Sequence, residues 1–225
     1  MRVGLLECDH VDERWRGIDG DYGDMFDALL DIDLVRYDAV NDVLPARADE
    51  CDGWLATGSR FSVYDDAAWI TRLQSFVRDV RDAGAPFVGI CFGHQLLAQS
   101  IGGRTEKAAV GWGVGAVDTW IEPDRADAVL LYMHRDQVVS LPEGAAVLGR
   151  TDHCPIAMLQ VGPMLGIQAH PEFSAAYVNA LLDARADRIG HELTARAKAS
   201  LERVGDAHDA EALGRRIVEF LGEHQ

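Results

Sequence analysis

Cysteine is scarce in this sequence, and its placement excludes two classes of protein. The 225 residues contain four cysteines, Cys8, Cys51, Cys91 and Cys154, which are unclustered and lack both CxxC pairs and Cys/His ligand spacing. A disulfide-stapled secreted domain needs denser cysteines, and a structural zinc site needs four grouped ligands. We therefore expect free thiols, a cytoplasmic location, no bound metal and no other cofactor.

Long apolar runs and positive charge are also lacking. No apolar stretch approaches the roughly 18 to 20 residues of a transmembrane helix, and Glu7 and Asp9 interrupt the first apolar run, unlike a signal peptide. Lys and Arg number 21 against 37 Asp and Glu, a formal net charge of −16. A polyphosphate would be repelled over most of such a surface. We expect neither a membrane nor a nucleic acid as a partner.

The chain does contain a regular alternation of short apolar runs with longer amphipathic ones. This rhythm predicts an α/β fold with an open, mainly parallel sheet flanked by helices. Additional strands are expected across residues 109–170. No repeat, linker or composition break interrupts the chain, so we expect residues 1–225 to form a single domain with a helical carboxyl-terminal extension from about residue 174. The predicted strands are Val3–Cys8, Leu34–Tyr37, Gly53–Ala56, Phe87–Ile90, Val114–Ile121, Ala128–Met133, Ala146–Leu148, Ile156–Gln160 and Leu165–Ala169, and the predicted earlier helices are Asp24–Leu30, Ala67–Ala83 and Phe92–Ile101.

The segment Gly89-Ile90-Cys91-Phe92-Gly93 stands between an apolar strand and a predicted helix with almost no loop. This is the form of a nucleophile elbow, in which a tight turn holds one side chain out from the sheet and small residues allow close backbone approach. The amino terminus of the helix favours thiolate over thiol. The backbone N–H of Phe92 would point at a developing oxyanion. A buried core cysteine is the alternative, and the two flanking glycines favour the elbow.

His170, Pro171 and Glu172 follow an apolar strand. Pro171 favours an extended backbone at His170, and residues i and i+2 of an extended chain share a side, so Glu172 can orient the imidazole. A base with an adjacent carboxylate is what a cysteine nucleophile needs. The tripeptide alone could be an ordinary turn, but its combination with Cys91 favours catalysis. His94, three residues after Cys91 on the predicted helix, is a rival base that would have to reach back awkwardly.

Two motifs, GICFGHQ at residues 89–95 and AHPEF at residues 169–173, occur in this order and together resemble the class I, or triad, glutamine amidotransferases. The resemblance covers most of the chain. It implies that Cys91 attacks a γ-glutamyl amide, that His170 transfers the proton, that Glu172 orients His170, and that a thioester forms before water releases glutamate.

The same resemblance implies which groups hold the substrate. Gly58, after the third predicted strand, matches the second oxyanion donor beside Phe92, with a plain turn as the alternative. Gln95 matches a position that contacts the glutamyl moiety, and it lies four residues from Cys91, on the same helix face. A later segment resembles the one whose backbone grips the α-amino and α-carboxylate groups, although many members have Gly in place of its arginine. The substrate contacts expected there are Met133, His134 and Arg135.

Residues 8–23 follow the first strand at the sheet edge where open α/β sheets bind ligands. This Asp-rich stretch, which contains Arg14, Trp15 and Arg16, is either a specificity loop or a solvated loop.

The resemblance implies hydrolysis of glutamine or of a γ-glutamyl conjugate, with release of glutamate and ammonia or an amine. One interpretation is a free-standing γ-glutamyl hydrolase or peptidase with a small-molecule substrate. Residues 111–113 (GWG) also resemble a segment of such enzymes. The other interpretation is an ammonia-donating glutaminase subunit of a separate synthase or acceptor protein. The presence of Cys91, His170 and Glu172 argues against a non-catalytic regulatory homologue. A related chaperone or deglycase fold usually has His directly after the nucleophile, where this chain has Phe92.

Overall fold

A mixed sheet crosses the part of the molecule that the computed structural model describes, residues 1–122, 126–205 and 208–224. Nine strands of this part lie side by side in the order β2-β1-β3-β4-β11-β10-β9-β6-β7, while β5 and β8 form a separate two-stranded ribbon. The strands are β1 (Arg2–Leu6), β2 (Asp33–Tyr37), β3 (Gly53–Ala56), β4 (Phe87–Ile90), β5 (Arg104–Lys107), β6 (Gly113–Ile121), β7 (Ala126–His134), β8 (Asp136–Ser140), β9 (Ala146–Arg150), β10 (Met158–Val161) and β11 (Met164–Ile167).

Helices cover both faces of this sheet. They are α1 (Arg16–Asp19), α2 (Tyr22–Leu29), α3 (Ala68–Asp82), α4 (Phe92–Ser100), α5 (Ala175–Ile189), α6 (His191–Val204) and α7 (Ala210–Glu223). The longest amphipathic pattern before residue 90 forms α3, whose buried side chains recur every three or four residues. None of the described helices is both long and apolar enough to cross a membrane.

The strands β2, β1, β3, β4 and β11 run parallel to one another. Of these, β3, β4 and β11 are buried at every residue, which explains why each is a continuous apolar run rather than an alternating one. The strands β10, β9, β6 and β7 continue the sheet by antiparallel pairing. The predicted fold class is confirmed, including the additional strands between residues 109 and 170.

Packing on the two faces leaves the ends of the parallel strands as the accessible edge. On one face, Trp54 of β3 packs in a cluster with Phe76 of α3 and Phe92 of α4. On the other, Phe26 of α2 and Ile217 of α7 belong to a second cluster. A third cluster holds α5 and α6 against β6 and β7. Ligands of open α/β sheets bind outside the carboxyl ends of the strands, and the functional side chains predicted from the sequence lie there.

Several predicted bounds were wrong by a few residues. The first strand ends at Leu6 rather than Cys8, because the Cys8 N–H donates to Thr57 Oγ1 at 2.9 Å instead of pairing in the sheet. The last parallel strand ends at Ile167 rather than Ala169, and its antiparallel neighbour begins at Met158 rather than Ile156.

The ribbon of β5 and β8 was not predicted. Its first strand, RTEK, is charged and has one buried residue, Thr105. The first three residues of β8 are buried, but Asp136 and Gln137 are polar. Neither strand therefore shows the alternating apolar pattern that predicts a strand. Beyond residue 174 the chain forms α5, α6 and α7, and residues 206, 207 and 225 of the predicted helical extension lie outside the described part.

Candidate active site

Four parallel strands end at one edge of the sheet, and the candidate site lies at that edge. Leu6 of β1 pairs with Ala56 of β3, and Ile90 of β4 pairs with Ile167 of β11. The strand ends are therefore level, and the residues that follow them meet. Gly58 follows β3, Cys91 follows β4 and His170 follows β11, so residues far apart in sequence become neighbours.

Cys91 occupies the turn between β4 and α4 with φ 51° and ψ −96°. A side chain rarely adopts a positive φ, and such strain costs about 1–3 kcal/mol and persists where the surroundings enforce it. The surroundings here are two close backbone crossings. A Cβ on Gly89 would lie 2.2 Å from the Gly93 carbonyl oxygen, and one on Gly93 would lie 2.5 Å from the Ala56 carbonyl oxygen. Only glycine fits at these two positions, which is why they flank the cysteine.

His170 is bound to Glu172 across the predicted two-residue spacing. The His170 Nδ1–H donates to Glu172 Oε1 at 2.8 Å, and both side chains are buried. Phe173 lies flat on the imidazole, with ring centroids 3.9 Å apart and planes 6° from parallel. The His170 backbone N–H donates to Leu131 O at 2.8 Å. These contacts fix the ring and its tautomer, and they leave Nε2 as the nitrogen that can serve Cys91.

The charge state of His170 depends on its two partners. Burial alone lowers the pKa of this imidazole, but the Cys91 sulfur and the Glu172 carboxylate outweigh burial and raise the pKa of His170 to about 10. The histidine therefore keeps its proton at neutral pH. A protonated imidazole beside a cysteine stabilises the thiolate, which is the reactive form of a cysteine nucleophile.

Gly58 lies against both reactive side chains. A Cβ added there would be 2.7 Å from His170 Cε1 and 3.7 Å from Cys91 Cβ. The preceding residue, Thr57, holds this turn because its N–H donates to Leu6 O at 3.1 Å and its hydroxyl donates to Gly58 O at 3.0 Å. Phe92 is the first residue of α4, and the oxyanion role of the Gly58 and Phe92 N–H groups stays a prediction.

His94, the rival base, takes a different position. Its Nε2–H donates to Ile156 O at 3.1 Å, and a Cβ on Gly166 would come within 2.5 Å of its Nδ1. Burial lowers the pKa of His94 to about 4. A neutral imidazole bound to a carbonyl between two strands is a packing group, and the structure gives it no contact with Cys91.

A cavity of about 100 Å³ opens beside Cys91, and the predicted substrate contacts line it. Gln95 Nε2 donates to Asp136 O at 2.8 Å and to Gln168 Oε1 at 3.0 Å, which leaves the Gln95 carbonyl oxygen as the group that can face a ligand. The other predicted contacts that line the cavity are Met133, His134 and Arg135.

Sequence reasoning missed several residues that line this cavity, Asp136 among them. Asp136 accepts hydrogen bonds from the hydroxyls of Ser62 and Tyr64. Its other carboxylate oxygen is buried without a hydrogen bond among the described residues, although Arg135 Nε lies 3.9 Å from it. Arg185 and Arg188 reach the cavity from α5. Arg185 and Arg188 belong to no sequence motif, and only their three-residue spacing, which places them on one helix face, could have identified them from the sequence.

Comparison with known proteins agrees with this geometry. The family described as glutamine amidotransferase class-I matches residues 26–181. A glutamine amidotransferase-like protein of Schizosaccharomyces pombe is 31% identical over 230 residues, covering 91% of this chain and 92% of its own. Gamma-glutamyl peptidase 3 of Arabidopsis thaliana is 28% identical and covers 73% of this chain and 69% of its own.

A glutamine-hydrolysing GMP synthase of Listeria innocua is 31% identical over 179 residues, which are 72% of this chain and 33% of the synthase. Among solved structures, a glutamine amidotransferase from Methylobacillus flagellatus superposes with a TM-score of 0.75 at 22% identity and covers 99% of this chain and 93% of that one. This last likeness shows the fold.

Proposed function

Because this chain belongs to the class I glutamine amidotransferase family, we propose that it hydrolyses a γ-glutamyl amide through a thioester on Cys91. The observation that supports this proposal most directly is the meeting of Cys91, on its strained turn, with the His170–Glu172 pair at one sheet edge. A thiol on an elbow beside an oriented, protonated imidazole is suited to acyl transfer.

In the first half-reaction the Cys91 thiolate attacks the γ-carbonyl carbon and forms the C–S bond. The carbonyl oxygen becomes an oxyanion, to which the backbone N–H groups of Gly58 and Phe92 donate hydrogen bonds. His170 then gives its Nε2 proton to the amide nitrogen, the C–N bond breaks, and ammonia or an amine leaves. The product is a γ-glutamyl thioester on Cys91 and a neutral His170.

In the second half-reaction His170 acts as the general base. It takes a proton from water, and the resulting hydroxide attacks the thioester carbonyl with the same two N–H groups holding the oxyanion. The C–S bond breaks, glutamate leaves, and the proton on His170 restores the ion pair with Cys91. Glu172 keeps the imidazole oriented through both steps, because its carboxylate accepts from Nδ1 throughout.

The proposal includes the placement of the substrate and of the chain. We assign the glutamyl head group to Gln95, Met133, His134 and Arg135 in the cavity beside Cys91. We take residues 1–225 as one catalytic domain with a helical extension. A cytoplasmic location is supported by the four cysteines, all of which are free thiols.

The test is hydrolysis by the purified protein. We expect turnover of a γ-glutamyl dipeptide, no turnover of the matched α-glutamyl dipeptide, and a mass increase of one glutamyl group on Cys91 in acid-quenched enzyme. Cys91→Ser should lose turnover, whereas Cys51→Ser should keep it. Equal activity on the α-linked control, or full activity of Cys91→Ser, would contradict the proposal, and no turnover of any substrate would favour a non-catalytic homologue.

The second candidate function is donation of ammonia to a separate synthase. It is favoured by the GMP synthase similarity, in which the matched segment is a third of the longer protein. In that case glutamine would be the substrate, and the isolated chain would be nearly inactive on glutamine until cell extract supplies a partner. Glutaminase activity measured with and without extract distinguishes the two functions.

A further inference from the structure

A groove of about 300 Å³ adjoins the cavity beside Cys91, and nothing so far assigns it a role. Three arginines, Arg60, Arg185 and Arg188, line both the cavity and the groove. The far side of the groove is formed by the loop after β1, including Trp15. A ligand attached to Cys91 could therefore extend past the arginines toward this loop. We call this depression the arginine groove.

Two aromatic rings connect the arginine groove to His170. Phe173 stacks on the His170 ring, Tyr177 packs edge-on against Phe173 with centroids 4.8 Å apart, and Tyr177 lines the groove. The proposed general acid must be next to the nitrogen that it protonates. The group attached to that nitrogen, which is the leaving group, thus extends into the groove while the glutamyl head occupies the cavity.

Positive charge in the arginine groove is not fully paired. Asp9 is committed to Arg60, whose NH2 group lies 2.7 Å from Asp9 Oδ1, and Asp12 is committed to Arg14 at 2.9 Å. Among the residues described by the structure, the guanidinium groups of Arg185 and Arg188 make no ion pair and no hydrogen bond.

The chain as a whole carries a net charge of −16, whereas Arg185 and Arg188 place positive charge beside the candidate nucleophile. Arginine binds carboxylates with paired, directional hydrogen bonds. An anionic group on the ligand would satisfy the guanidinium donors that the protein leaves unpaired.

We propose that Arg185 and Arg188 bind a carboxylate on the leaving group. The preferred substrate is then a γ-glutamyl amino acid or peptide with a free α-carboxylate, rather than glutamine or a neutral γ-glutamyl amide. This inference rests on the proposed hydrolysis. It makes the two arginines specificity-determining residues, because they act on the departing half of the substrate and leave the reacting carbonyl to Cys91.

The test compares two substrates that differ only in this charge, γ-glutamylglycine and γ-glutamylglycinamide. We expect the wild-type kcat/KM to favour the carboxylate by about tenfold or more, as for a charge-assisted hydrogen bond. The double variant Arg185→Gln/Arg188→Gln should lose this preference, chiefly through a higher KM for the carboxylate substrate. The matched control Arg196→Gln, an exposed arginine on α6, should keep it. Equal kcat/KM for the two substrates in the wild type would overturn the inference and leave the hydrolase proposal standing.

A second measurement needs no turnover. Iodoacetate and iodoacetamide both alkylate cysteine, and only iodoacetate is an anion. The ratio of their rates at Cys91 should fall about tenfold in the double variant and stay constant in Arg196→Gln. If no substrate is hydrolysed but this ratio falls, the hydrolase proposal fails and the anion site stands. An unchanged ratio would overturn the anion site.

Discussion

Gly58→Ala should inactivate the protein by displacing His170. The added Cβ would lie 2.7 Å from His170 Cε1, whereas two carbon atoms in contact prefer about 3.5–4.0 Å. The imidazole must therefore move by roughly 0.8 Å or more. A misplacement of about 1 Å in a catalytic group costs about 100-fold in rate, equivalent to about 2.7 kcal/mol of transition-state stabilisation. The same Cβ would be 3.7 Å from Cys91 Cβ, an ordinary contact, so the thiol should stay in place.

The assay measures kcat for γ-glutamylglycine together with the melting temperature. The Gly58 backbone does not need a positive φ, so alanine is permitted there and folding should be retained. Gly222→Ala is the matched control, because a Cβ at that position of α7 meets no atom within 4 Å. A second readout is the His170 pKa followed by NMR, which should fall from about 10 as the ring moves away from Glu172. A Gly58→Ala protein with kcat within threefold of wild type would refute the steric argument.

Iodoacetamide at neutral pH should alkylate Cys91 before Cys154, because burial raises the pKa of Cys154 to about 12. Peptide mapping over time gives the order of alkylation, and faster labelling of Cys154 would contradict the assignment of Cys91 as the nucleophile. His170→Ala should abolish hydrolysis, whereas His94→Ala should retain it and instead lower the free energy of unfolding by about 2–5 kcal/mol, because it leaves a buried cavity. Measurements of kcat and of urea unfolding check both variants. Loss of hydrolysis in His94→Ala but not in His170→Ala would overturn the assignment of the base. Glu172→Gln should keep partial activity, since an orienting group contributes less than the base, and complete loss would give the carboxylate a larger role. The raised pKa of His170 predicts a pH-dependent stability: the stabilisation is complete below pH about 6.5 and is lost as pH rises through about 10. Unfolding free energies of wild type and His170→Ala should converge across this window, and a constant difference would contradict the pKa assignment.

The sequence by itself determined the chemistry-bearing motifs of this protein. Cys91 between two glycines, and Glu172 two residues after His170, are local patterns, and the tight turn and the extended backbone that they require involve only adjacent residues. The strands Gly53–Ala56 and Phe87–Ile90 have the bounds that the sequence predicted. Parallel strands covered by helices on both faces are continuously apolar, so their ends are visible in the chain.

Tertiary structure alone decided how the substrate side of the site is built. The buried residues of the ribbon of β5 and β8 are mostly polar, so they leave no hydrophobic pattern in the sequence. Arg60 follows β3, whereas Arg185 and Arg188 lie on α5, more than 120 residues later in the chain. The fold brings all three to the same cavity and groove. By its sequence each arginine is an ordinary surface residue, and the shared cavity and groove become visible only in the folded chain. Arg60 is paired with Asp9, whereas Arg185 and Arg188 have no carboxylate partner among the described residues. This difference depends on which acidic side chains the fold brings within reach, and a linear pattern does not record that distance.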